Sequence, residues 1–268
     1  MGYGTATFGY PWPDALPDMI DEGSIARING GRHYHAIFRV TLRSGEPCIL
    51  KIEDKSMGTL FTERQTLLWL EKKLPVPKVH HYSDNGRFEY LLMTWIDGQL
   101  ACDYVAQDGQ PSLGALLGEG LARVHRLVAD AYPTPSLLPD DCMELVRHNI
   151  STRPNEVMEV AKTNFAATSL DDVLRQLEAN KPQASEYVFA HGDYGLGNVL
   201  IRDGQISAFI DFDCAGLADP YYDIYYALQS FKFNQRENEI DDFLAAYGVD
   251  ELPKDRMRFH HMLDLLLL

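Results

Sequence analysis

The sequence predicts an α+β chain whose N-terminal part is an antiparallel sheet with one helix and whose C-terminal part is mainly helical. Three observations carry this. Up to residue 97, β-rich runs alternate with Gly-containing turn signals around one helical period. From residue 98 onward the apolar spacing is mostly that of helices. Within that helical part lies one β-rich hairpin, Asn198 to Ile201 and Ile206 to Ile210, with Asp203-Gly204 at its tip. The change of pattern near residues 94–98 divides the chain into 1–97 and 98–268.

Taken in order, residues 1–24 are rich in Pro and Gly and read as irregular. Ile25–Ile28 and Tyr34–Leu42 read as strands joined by Asn29-Gly30-Gly31-Arg32, and Pro47–Ile52 as a third strand. Lys51 falls inside that apolar run, where an unpaired ammonium is costly, so it needs an anionic partner. A partner follows on the helix Leu60 to Lys73. There Leu60, Glu63, Leu67 and Leu70 share one face, which points Glu63 inward, the alternative being a place at the edge of the stripe, open to solvent. Pro75 and Pro77 end this helix, and Lys78–Tyr82 and Phe88–Trp95 form a second hairpin closed by Asp97-Gly98. The helical part opens at Tyr104–Gln107, continues through Leu113–Ala131, and has further helices at Asp140–Arg147, Leu170–Ala179, up to Phe231, Glu237–Tyr247 and Pro253–Leu268. His125, between Val124 and Leu127, reads as a packed, hydrogen-bonded histidine. Asp219 reads as a helix cap ahead of Pro220, and Asp223 as a group placed to hold the His191-Gly192 backbone.

Composition narrows the function classes. The 268 residues carry a formal charge of −15, with 46% hydrophobic and 24% charged residues. That is an ordinary globular balance, and its sign argues against non-specific nucleic-acid binding. Cys48, Cys102, Cys142 and Cys214 are scattered without a C-x-x-C, so spacing suggests neither a zinc motif nor a disulfide framework. A reducing, cytoplasmic setting is expected. The Gly-, Pro- and aromatic-rich Met1–Pro17 lacks a signal-peptide pattern, and Leu265–Leu268 is too short to span a membrane.

The chemistry concentrates around the late hairpin. His191-Gly192-Asp193 precedes it, Asn198 begins it, and Asp211-Phe212-Asp213 follows it. Either motif alone reads equally well as a polar turn or a cap. Together, in this order and joined by a hairpin, they form a D-x-x-x-x-N loop followed by a metal-binding Asp, the arrangement of a kinase site. Carboxylate and amide oxygens suit Mg²⁺, which leaves Asp193 to orient or deprotonate a hydroxyl.

With Lys51, Glu63, Asp193, Asn198 and Asp211 in order, the chain resembles the aminoglycoside phosphotransferase family, which shares the bilobal protein-kinase-like fold. Its closest similarity is to the 3′-phosphotransferases of kanamycin-type antibiotics. The matching blocks include Leu74-Pro75-Val76-Pro77-Lys78-Val79, Leu91-Leu92-Met93 with Asp97-Gly98, Val188 to Asn198, Phe209-Ile210-Asp211, and Tyr222-Asp223-Ile224. The resemblance implies an ATP- and Mg²⁺-dependent enzyme, GTP being a possible substitute, that acts as monomer or homodimer on a small-molecule acceptor. It implies Asp193 as catalytic base or orienter, Asn198 and Asp211 as metal ligands, and Lys51 on the nucleotide phosphates, held by Glu63. Met93 to Ile96 would be the hinge, with the backbone of Thr94 and Ile96 reading adenine and Ile49 facing the purine.

Departures fall on the acceptor side. Thr163–Thr168 carries no acid where relatives have an acidic loop, and only Asp264 and the terminal carboxylate remain of an acidic C-terminal cluster. A polycation would lose contacts on that side, so the resemblance implies the kinase chemistry more firmly than the acceptor, for which a small cationic molecule, an aminoglycoside first, is the expectation. A metabolite or macrolide kinase of the same fold, and a non-catalytic nucleotide-binding module, stand as alternatives.

Overall fold

The computed structural model describes residues 10–13, 15–28, 35–57, 60–128, 136–182 and 187–267. In chain order these form helix α1 (Leu16–Met19), strands β1 (Ala26–Arg27), β2 (His35–Thr41) and β3 (Pro47–Asp54), then helix α2 (Leu60–Leu70). Strands β4 (Val79–Asp84), β5 (Phe88–Thr94) and β6 (Gln99–Leu100) follow, then helix α3 (Leu113–His125) and strand β7 (Ser136–Leu137). Next come helices α4 (Pro139–Thr152), α5 (Pro154–Phe165) and α6 (Leu170–Asn180), strand β8 (Val188–Ala190), and the hairpin β9 (Val199–Arg202) and β10 (Gln205–Phe209). Strand β11 (Gly216–Ala218) and helices α7 (Tyr221–Phe233), α8 (Ile240–Tyr247) and α9 (Lys254–Leu266) complete them.

Contacts divide the chain into two compact units. The first holds the residues up to Leu100 together with Asn198–Cys214; the second holds Ala101–Gly197 and Ala215–Leu268.

In the first unit, β1-β2-β3-β5-β4 form an antiparallel five-stranded sheet. The period of two along β3 sets its chemistry. Cys48, Leu50 and Ile52 pack into a core with Leu16, Ile20, Phe38, Val40, Tyr90 and Leu92. Ile49, Lys51 and Glu53 take the alternate positions, and Lys51 is 7% exposed and Glu53 1%. Helix α2 buries Leu60, Glu63, Thr66, Leu67 and Leu70, so the inward face read from the sequence includes Glu63. The helix stops at Leu70 rather than Lys73, because Lys72 turns left-handed (φ 73°) and the Lys73 and Leu74 amides both donate to Leu70 O. The late hairpin joins this unit: Phe209 N donates to Pro75 O at 2.9 Å, and β6 pairs with β9. Asp203 (φ 53°) and Gly204 (φ 72°) both lie left-handed, the type I′ geometry that an Asp-Gly tip favours.

The second unit is mainly helical. Two helix readings need correction. Tyr104–Gln107 is not helical: the Tyr104 hydroxyl bonds Gln110 Oε1 and Pro111 O, and Gln107 N bonds Gln110 Oε1, which folds the segment into a loop. Helix α3 ends at His125, whose ring is held by two partners, and Val128 is 71% exposed rather than part of the apolar stripe. Residues 129–131 of the expected helix, the Gly30-Gly31 turn and the terminal carboxylate at Leu268 lie outside the described residues. Helix α5 went unread although its signals were present: Pro154 at the start, Glu156 in the first turn, and Val157, Ala161 and Phe165 at helical spacing, all three buried. Asp219 caps α7, accepting from Tyr221 N at 2.8 Å.

Helices α3 and α8 approach closely through Gly114 and Gly118. A Cβ on Gly118 would lie 2.3 Å from Phe243 O and 2.9 Å from Ala246 Cβ, so neither neighbour leaves room for a methyl group. Gly118→Ala is expected to destabilise the protein by about 1–3 kcal/mol through overpacking, despite alanine's better helix propensity. Chemical denaturation of the two proteins checks this, and an unchanged or raised midpoint would contradict the close approach.

Candidate active site

Lys51 anchors the constellation in the sheet unit. Its Nζ donates to Glu63 Oε1 at 2.7 Å and to Asp211 Oδ1 at 2.8 Å, which ties strand β3, helix α2 and the end of the late hairpin to one ammonium. The lysine side chain is 9% exposed, that of Glu63 1% and that of Asp211 33%. Burial acts to lower the lysine pKa, but the charges of Glu63 and Asp211 outweigh it and hold the ammonium protonated, well above the usual lysine value. Burial also pushes the Glu63 carboxyl up to about 7, opposed by Lys51 and reinforced by the charges of Asp211 and Asp213. Glu63 Oε2 has no hydrogen-bond partner among the described residues, so the lysine is this carboxylate's chief stabiliser.

Asp211 adopts φ 67°, an uncommon conformation for a residue other than glycine, at the point where the chain leaves β10. Its neighbour Ile210 donates from N to Asn198 O at 3.0 Å, which brings the Asn198 and Asp211 segments side by side. The pair offers an amide and a carboxylate oxygen beside the buried carboxylate of Asp213. This all-oxygen donor set fits Mg²⁺, which takes oxygen ligands and keeps several waters. Asp213 was visible in the Asp-Phe-Asp triplet but carried no expectation.

Met93 and Thr94, two of the residues expected at a hinge, end β5. Met93 is 3% exposed and pairs with Ile49 on one side and Val79 on the other. Thr94 N donates to Lys78 O at 2.9 Å, and Thr94 Oγ1 accepts from Lys78 N at 2.8 Å. Trp95, between Thr94 and Ile96, is fixed by Nε1 to Asp97 Oδ1 and by the Arg39 guanidinium 4.6 Å from its ring centroid.

In the helical unit, His191 and Gly192, the two residues before Asp193, hang from one buried carboxylate. Asp223 Oδ2 accepts from His191 N at 2.7 Å, Oδ1 from Gly192 N at 2.9 Å, and Oδ2 also contacts His125 Nε2 at 3.0 Å. Full burial acts to raise the Asp223 pKa. The His125 hydrogen bond, the charges of His125 and His191, and the His191 N–H reverse that, leaving it below the ordinary value. His125 Nδ1 is in turn 2.8 Å from the Tyr247 hydroxyl. Gly192 lies at φ 85°, which a side chain would strain, and the Tyr194 hydroxyl donates to Leu117 O. Asp193 is thus displayed on a loop with little freedom. Burial raises the Tyr226 pKa, and the charge of Asp264 and, less, that of Asp193 act in the same direction. Asp264 also accepts from the Tyr225 hydroxyl at 2.9 Å, and that oxygen lies 2.9 Å from His261 Nδ1. Tyr225, Tyr226, His125 as a brace and Tyr247 were missed as site residues; the aromatic run Tyr221 to Tyr226 was the available signal.

Comparison with known proteins follows the same residues. A model of the phosphotransferase enzyme family matches residues 24–260. An aminoglycoside 3′-phosphotransferase of Niallia circulans is 30% identical over 258 residues, 94% of this chain and 96% of that protein. The crystal structure of a type VIII aminoglycoside-3′-phosphotransferase superposes with a TM-score of 0.73 at 19% identity, covering 91% of this chain and 94% of that one. An aminoglycoside phosphotransferase from Streptomyces rimosus, in complex with ADP and streptomycin, gives a TM-score of 0.64 at 22% identity, with 91% and 92% covered. These two structures share the fold, which is the bilobal protein-kinase-like one.

If Lys51 holds Glu63 in its buried place, removing only the lysine leaves an unpaired carboxylate, and removing both leaves apolar packing. Lys51→Met is expected to cost about 3 kcal/mol, and the Lys51→Met/Glu63→Leu double variant to recover part of that loss. Equilibrium unfolding of the four proteins in this cycle checks it; additive losses would mean the two residues are not coupled.

Proposed function

Because the chain belongs to the phosphotransferase enzyme family, we propose that it is an ATP- and Mg²⁺-dependent O-phosphotransferase whose acceptor is an aminoglycoside. The observation that carries the acceptor class is the 30% identity to an aminoglycoside 3′-phosphotransferase along nearly the whole of both chains. The observation that carries the chemistry is Lys51 bound to both Glu63 and Asp211, the ion pair and metal-binding Asp that kinase chemistry requires. The ADP complex of the Streptomyces rimosus enzyme supports the nucleotide.

Each residue then has a task. Lys51 meets the α- and β-phosphates while Glu63 holds it. Because the Thr94 N–H is engaged by Lys78, its carbonyl is what remains for the purine amine, with the Ile96 N–H beside it. Asn198 and Asp211 would hold Mg²⁺, whose charge would offset that of the nucleotide phosphates. Asp193, displayed by the Asp223-anchored loop, orients the acceptor hydroxyl and takes its proton. Asp264, oriented by the Tyr225 hydroxyl, presents negative charge to an acceptor ammonium. Catalysis is then chiefly positioning and charge stabilisation.

A metabolite or macrolide kinase is the second reading. The turn between α5 and α6 favours it: residues 166–169 carry no acid, and the nearby Asp172 is occupied at the start of its own helix, accepting from Thr168 N.

A nucleotide-consumption assay with a panel of aminoglycosides tests the assignment. The wild-type protein is expected to turn over at least one member and Asp193→Asn to lose about 10²-fold or more of that rate. Equal rates in the two proteins on every member would overturn the aminoglycoside reading, and turnover confined to other acceptors would favour the second.

A further inference from the structure

A second cluster in the sheet unit lies apart from the Lys51–Glu63–Asp211 constellation. Glu46 ends the turn before β3, Cys48 is the second residue of that strand, and His80 sits in β4 where its pairing with β5 shifts register between Val79 and His81. A carboxylate oxygen of Glu46, Cys48 Sγ and a ring nitrogen of His80 all lie within 4.8 Å of one another, and no other such group of His, Cys and acidic residues occurs among the described residues. Cys48 is a free thiol with no exposed surface. His80 Nε2 is buried and makes no hydrogen bond, although Glu46 Oε1 is only 3.3 Å away. A ring nitrogen facing a carboxylate without a hydrogen bond, beside a thiol, leaves three lone-pair donors converging on one point.

We propose that Glu46, Cys48 and His80 form a binding site for a divalent transition metal of the zinc class. The donor set is one sulfur, one imidazole nitrogen and one carboxylate oxygen, the three kinds of ligand that zinc takes, and the thiolate disfavours Mg²⁺ and Ca²⁺. Tetrahedral ligands at roughly 2.0–2.3 Å from the ion stand roughly 3.3–3.7 Å apart, so the Glu46–His80 spacing already suits it. The remaining donors close by about an ångström at most, a shift shared between rotamers of the exposed Glu46 side chain and rotation of the partly exposed His80 ring. Water takes the fourth position. Binding replaces the thiol proton, which leaves to solvent as the sulfur–metal bond forms.

The location gives the site its consequence. Cys48 pairs with Thr94, and Val79, next to His80, pairs with Met93, so the two ligands flank β5 from either side. A bound ion ties β3 to β4 across β5 beside Thr94. No short spacing motif announces it, because the ligands come from a turn and two strands that are not sequence neighbours.

The test uses the full chain, stripped with a chelator and titrated with Co²⁺ and then Zn²⁺. The wild-type protein is expected to bind one equivalent of Co²⁺ with a near-ultraviolet thiolate-to-cobalt absorption band that Zn²⁺ removes, and to gain thermal stability with Zn²⁺. Cys48→Ser should lose the band. His80→Ala and Glu46→Ala, at positions outside the core, should fold normally by circular dichroism and bind about tenfold or more weakly. Absence of a thiolate band in the wild type overturns the site. So does undiminished affinity in folded His80→Ala, which decides the matter even if Cys48→Ser fails to fold.

Discussion

A lysine ammonium withdrawn from water is the constraint on which the sheet unit depends. Placed on β3 with 7% of its surface exposed, Lys51 is tolerable only with anions against it, and the fold supplies two. Glu63 requires α2 to turn that face inward. Asp211 requires the late hairpin, far along the chain, to join this unit instead of the helical one. The same ion pairs that make the lysine tolerable hold it charged, so the structural requirement and the proposed role at phosphate are one requirement.

The helical unit solves a related problem at Asp223. A fully buried carboxylate is costly, and here it accepts two consecutive backbone amides and a histidine, which lower its pKa below the ordinary value. Those amides belong to His191 and Gly192, so satisfying the carboxylate fixes the residue that follows, Asp193. Behind His125 stand Tyr247 on α8 and the close α3–α8 packing at Gly114 and Gly118. The loop's rigidity therefore rests on helix packing well removed from any reacting atom.

Most of this was legible in the sequence where local chemistry and the tertiary fold agree. Glu63 was readable because its helix has a clear apolar face, Asp203-Gly204 because both residues accept a left-handed turn, and Asp223 because it lies one turn into a capped helix. Readings failed where distant contacts decide. Tyr104–Gln107 has a helical composition but is closed into a loop by Gln110, and α3 stops where His125 is gripped by residues about a hundred positions later. Helix α5 shows the opposite failure, since its proline start and apolar spacing were local signals passed over. The Glu46–Cys48–His80 cluster and the contacts of Tyr225 with His261 and Asp264 are juxtapositions across strands or helices, which no one-dimensional spacing encodes.

Lys51, held by Glu63 and Asp211, is the group proposed to receive nucleotide phosphate. Calorimetric affinities of the wild-type protein and Lys51→Met for ADP and for adenosine test it most directly. ADP affinity is expected to fall by about tenfold or more, the worth of a charge-assisted hydrogen bond, while adenosine affinity stays unchanged. Equal losses for both ligands, or none for either, would contradict it.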